Sequence, residues 1–119
     1  MENILQSISS IVFGAGAWNL VNGVLHDLFV LKSEHGRRYD RNLLRLLMDG
    51  HVLITCGAIL MIASRGMGSH QHSAYYIAGV ALLSIMIYCI MIFPFLKSFV
   101  TLLINSLTLV FLIISLIKN

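Results

Sequence analysis

The charged side chains of this chain, eight basic and five acidic, are spaced so unevenly that they leave four long stretches almost free of charge. They are Glu2, Asp27, Lys32, Glu34, Arg37, Arg38, Asp40, Arg41, Arg45, Asp49, Arg65, Lys97 and Lys118. A helix that crosses the hydrocarbon core of a bilayer needs about 20 mostly apolar residues, and each stretch has room for one. The spacing predicts spans over residues 8–31, 43–64, 74–93 and 99–117, the last two with no charge inside them. None shows the period-two alternation of a β-barrel strand.

Composition supports the same conclusion. Of 119 residues, 58% are hydrophobic and 11% charged, whereas a soluble domain carries about 25% charge. Such a chain has too little polar surface to keep itself in water. A disordered chain, a disulfide scaffold and a nucleic-acid-binding module are excluded as well, since Cys56 and Cys89 are two isolated cysteines and the basic residues are not gathered on a soluble face. The expected fold is all-α: a polytopic membrane protein whose four transmembrane helices form an up-down bundle of two helical hairpins, in one domain over residues 1–119.

The connections agree with this division. Residues 32–42, KSEHGRRYDRN, read as a short charged loop, and residues 65–73, RGMGSHQHS, as a turn outside the hydrocarbon. Pro94, in FPFLKS, sits where a third helix must end. Six lysines and arginines lie beside the first and third connections (Lys32, Arg37, Arg38, Arg41, Arg45 and Lys97), against two on the other side, Arg65 and Lys118. Positive loops stay cytoplasmic, so loops 32–42 and 94–98 are expected inside and both termini outside. The opening Met1-Glu2-Asn3 lacks the positive region of a cleaved secretory signal, so the first span is expected to be retained.

Polar residues at membrane depth are costly, so they are where any chemistry is sought. The first span carries Asn19, Asn22, His26 and Asp27, and the second Arg45, Asp49 and His51. Ala15, Asn19, Asn22 and His26 fall on one helical stripe, with Asp27 on its flank about 100° away. Arg45 and Asp49, four apart, are placed to pair, while His51 lies about 200° round the helix from Asp49. If the first connection turns near Arg37 and Arg38, an antiparallel hairpin brings His26 to the level of Asp49 to His51, and Asn19 to that of Cys56. Asn22, His26, Asp27, Asp49 and His51 would then meet in the cytoplasmic third of the membrane.

Three functional readings follow. The first is binding or translocation of a proton, an ion or a small polar solute at this cluster, since histidine titrates near neutral pH and Asp and His chains relay protons in membranes. The second is a haem- or metal-binding anchor, with His26 and His51 as ligands and Arg37 and Arg38 beside haem propionates; a weaker copper site is Met67, His70 and His72 in the outer loop. The third is a structural or assembly protein, in which the asparagines hold helices together, Arg45 holds Asp49, and His26 and Asp27 merely end a span. No nucleophile elbow, phosphate-cradling glycine loop, HExxH or CxxC is present to mark an enzyme. Expected partners are the lipid bilayer and either further copies of the chain or a larger membrane complex, and no nucleic acid.

Several packing features are also legible. Thr101, Asn105, Thr108, Leu112 and Ser115 trace a stripe on the fourth span that should face protein, and Ala74, Ala78, Ala81 and Tyr88 trace one on the third. Gly50 and Gly57, with the run Gly14 to Ala17, allow close helix approach. Trp18 is expected against another helix, and Tyr75 and Tyr76 in an interfacial belt.

Overall fold

A computed structural model describes residues 2–69, 71–92 and 99–118, with side chains described for 7–69, 71–91 and 99–117. The described chain is all-helical: α1 (Glu2–Lys32), α2 (Arg41–Gly68), α3 (His72–Ile92) and α4 (Phe99–Lys118), with a short 3-10 turn, Glu34–Arg37, between the first two. All four helices are long and apolar enough to cross a membrane. Their outward faces carry Phe13, Phe29, Ile62, Val80, Ile90, Leu107 and Val110, all exposed. An apolar envelope of this extent needs lipid around it, so the chain is built as a multi-pass membrane protein. The end of the third span and Pro94 lie outside the described residues.

The helices are packed as a closed ring, each against its sequence neighbours and α4 back against α1. α1 and α2 form the tightest contact, because small residues recur every seven positions on both. Ser9, Gly16 and Gly23 on α1 meet Ser64, Gly57 and Gly50 on α2, so numbers rise by seven on one helix as they fall by seven on the other. The pair is therefore antiparallel. A Cβ added to Gly16 would lie 2.7 Å from the Gly57 carbonyl oxygen, one added to Gly57 2.6 Å from that of Gly16, and the Ser9 hydroxyl donates to the Ser64 carbonyl at 2.7 Å. A seven-residue repeat keeps one seam facing its partner along the whole pair, as in a left-handed coiled coil.

This register differs by about two residues from the one expected of a turn at Arg37 and Arg38. The turn is centred one residue earlier. α1 ends at Lys32 and α2 begins at Arg41, and Gly36 folds so closely onto the Leu31 carbonyl that a side chain there would collide with it. The Asp40 carboxylate caps α2 by accepting from the Leu43 amide at 2.9 Å.

The second connection is shorter than its composition suggests. α2 continues through Arg65, Gly66 and Met67 to Gly68, because Met67 is fully buried in the core and Gly66 lets the start of α3 close in: a Cβ on Gly66 would lie 2.8 Å from that of Ala74. Tyr75 turns into the core and Tyr76 outward. The polar stripe of α4 faces protein as expected, with Thr101, Asn105, Thr108, Leu112 and Ser115 all buried. α3 and α4 meet at Gly79 with Leu112 and at Met86 with Ser106, whose hydroxyl donates to the thioether at 3.3 Å.

Candidate functional site

At the loop-one end of the α1–α2 pair, the small-residue seam receives an acidic side chain. Asp27 follows Gly23 by one turn on the same face of α1, and helical side chains lean toward the N-terminus of their helix. Its carboxylate therefore reaches back over Gly50, where a side chain on α2 would collide with it. The His26 Nδ1 lies 3.5 Å from the same carboxylate oxygen, an ion pair whenever the imidazole is protonated, and the two side chains are 25% and 22% exposed. Asp49, half-buried on α2, lies within electrostatic reach of both His26 and Asp27. Tyr88 of α3 lies within electrostatic reach of Asp49 and Asp27. His26, Asp27, Asp49 and Tyr88 thus share one end of the bundle.

The other sequence-predicted residues are placed elsewhere. His51 is exposed on the outward face of α2, where its Nε2 lies 3.3 Å from the Thr55 hydroxyl one turn on. Asn22 donates one amide hydrogen to the Trp18 carbonyl of its own helix at 2.7 Å and makes no hydrogen bond to the acidic group among the described residues. Arg45 is exposed and forms no ion pair with Asp49 among the described residues; it lines a separate pocket with His35, Asn42 and Leu46.

Asn19 sits deeper and does something else. Its Nδ2 donates to Asn105 Oδ1 at 2.8 Å and to the Ala15 carbonyl at 2.9 Å, while Asn105 Nδ2 donates to Asn19 Oδ1 at 3.0 Å and to the Thr101 carbonyl at 2.8 Å. Both residues are 0% exposed. Every amide hydrogen is used, so the pair is a closed lock between α1 and α4, reinforced by Trp18 Nε1 donating to the Thr101 hydroxyl at 3.3 Å. Asn19 thus ties α1 to α4.

His26 is half-buried on α1 and His51 exposed on α2, and Met67 is buried in the core while His72 is exposed at the start of α3. His70 lies outside the described residues. Among those described, no group of three or more His, Cys, Asp or Glu is placed to hold a metal ion. Cys56 and Cys89 are free and buried.

Two members of the arrangement are not marked by polar chemistry in the sequence. Tyr88 reads as part of the packing stripe of α3, and Gly23 carries only the signal of its seven-residue spacing from Gly16, mirrored by Gly50 and Gly57 on the partner helix. Comparison with known protein families, characterised proteins and solved structures finds no match.

Proposed function

We propose that this chain is an up-down, four-span membrane protein that binds a proton or a small cation at His26, Asp27 and Asp49 and works as a homo-oligomer. The observation that carries the reading is the Asp27 carboxylate lying in the Gly50 slot with the His26 imidazole 3.5 Å away. Two carboxylates and one imidazole share this end of the helix pair, so with His26 neutral the group holds two negative charges and little to offset them. A proton on the imidazole, or a small cation beside the carboxylates, halves that charge where water is scarce.

The bundle interior favours binding and release at one end over passage along the axis of one chain. Val12, Leu60, Leu82, Ile85 and Leu112 fill the middle completely, and the Asn19–Asn105 lock closes on itself. Assembly is supported by His51 and Thr55. They stand on the outward face of α2, His51 about 10 Å and Thr55 about 14 Å inside the hydrocarbon if the helix is centred in a core about 30 Å thick, and an ionisable group such as His51 at that depth almost always faces protein or a water-filled cavity. A neighbouring copy supplies such cover. The lysine and arginine distribution supports an orientation with the first connection, and so the acidic group, on the cytoplasmic side.

The reading is tested by proton uptake. Protein in nanodiscs without buffer is stepped between about pH 5 and 8, and protons taken up per chain are counted for the parent, Asp27→Asn and Asp49→Asn. The expected result is an uptake curve that changes in both variants. Identical curves in all three overturn the site.

A further inference from the structure

The surface at the loop-one end offers a second site, distinct from the acidic group. A pocket of about 300 Å³ is lined by His35, Asn42, Arg45 and Leu46. His35 comes from the 3-10 turn, while Asn42 and Arg45, three apart, share a face of the first turns of α2. Three of the four lining groups donate hydrogen bonds to an anion, and the fourth is apolar. We propose that this pocket holds the phosphate of an anionic lipid headgroup.

Three independent observations converge on that ligand. The first is charge. The stretch from Lys32 to Arg45 carries five basic and two acidic residues; one of the two acids, Asp40, is turned to the backbone as the α2 cap, and none of the five bases makes an ion pair among the described residues. The second is local geometry. Asn42 and Arg45 stand in the first turns of α2 with their side chains lining the pocket, and the Arg45 guanidinium presents a fork that matches phosphate oxygens. The third is depth. α2 has 28 residues, about 42 Å at 1.5 Å per residue against a hydrocarbon core of about 30 Å, so its first turns stand in the headgroup layer. Leu46 marks the edge of the acyl region, where the glycerol end of a lipid lies. A phosphate attached to an acyl chain therefore matches both the polar and the apolar walls.

The test uses the full chain in detergent, with native mass spectrometry counting retained molecules of dioleoylphosphatidylglycerol, dioleoylphosphatidylcholine or inorganic phosphate. Arg45→Gln and Arg45→Lys are compared with Arg38→Gln, which removes a charge from the same loop outside the pocket. Expected is preferential retention of phosphatidylglycerol, weakened at least fivefold by Arg45→Gln, by less in Arg45→Lys, and less than twofold by Arg38→Gln. Equal retention of the two lipids, or equal loss in Arg45→Gln and Arg38→Gln, overturns the pocket in favour of diffuse charge attraction. Inorganic phosphate bound as tightly as the anionic lipid overturns the lipid as its source.

Discussion

The carboxylate of Asp27 occupies the space in which Gly50 has no side chain. One absent methyl group on α2 thus determines where an acidic group on α1 rests, and so its distance from His26 and Asp49. The same contact that closes the helix pair also assembles its charged end. Changing the glycine should disturb the charged group without removing any titratable atom.

Gly50→Ala is therefore expected to alter proton uptake as Asp27→Asn does. The added methyl group displaces the carboxylate and also presses on the Gly23 carbonyl, 2.8 Å from a Cβ at position 50. Gly57→Ala is the control, since it crowds the Gly16 carbonyl at 2.6 Å and the backbone of Leu20, far from any acid. Uptake in Gly57→Ala should match the parent. Indistinguishable curves for the two variants would separate proton binding from the Asp27–Gly50 contact.

Two glycines only two residues apart should respond oppositely to the same substitution. Gly16→Ala places a Cβ 2.7 Å from the Gly57 carbonyl and 2.9 Å from Met61, whereas a Cβ on Gly14 meets nothing within 4 Å. Overpacking of this kind costs about 1–3 kcal/mol. Thermal unfolding in detergent should show Gly16→Ala destabilised by that order and Gly14→Ala at or slightly above the parent. A loss of the same size in both would mean that the seam is not where the helices touch.

The amide lock predicts strong non-additivity. Asn19→Leu leaves the Asn105 amide buried with one partner gone, at about 1–3 kcal/mol, and Asn105→Leu does the reverse. The double variant removes both polar groups together. Its destabilisation should fall below the sum of the singles, by about 0.6–1.7 kcal/mol on the scale of hydrogen bonds in membranes. Strict additivity in the unfolding measurements would break the lock.

His51 separates lipid from protein as the cover of the outward face of α2. His51→Leu should weaken association of copies, read as a rise in the monomer fraction in analytical ultracentrifugation with density-matched detergent. It should leave proton uptake at the acidic group unchanged. Unchanged association, with higher thermal stability, would place His51 against lipid.

The sequence shows the number and extent of the helices because charge is excluded from hydrocarbon, a constraint that acts residue by residue. The α4 stripe from Thr101 to Ser115 is legible for a similar reason: a polar side chain at membrane depth must face protein, whichever protein that is. Choosing the partner is a different problem. Nothing local to Asn19 distinguishes Asn105 of α4 from Cys56 of α2, since the choice depends on how the ring of helices closes. The hairpin register also escaped, because it depends on one close approach at Gly36, and a shift of two residues changes which groups oppose each other. His51 stood about 200° from Asp49 on the helical wheel, and the structure leaves the two on different faces.

The central claim, that His26 and Asp27 act as one charged unit with Asp49, is tested most directly on His26 itself. Solid-state NMR of the ¹⁵N-histidine-labelled chain in lipid resolves neutral and charged imidazole, with the His26 signal assigned by its loss in His26→Gln. At one fixed pH, the balance of the two forms at His26 should change in Asp27→Asn and in Asp49→Asn but not in Asp40→Asn, whose carboxylate is engaged in capping α2. A His26 signal that is the same in all four proteins would contradict the account.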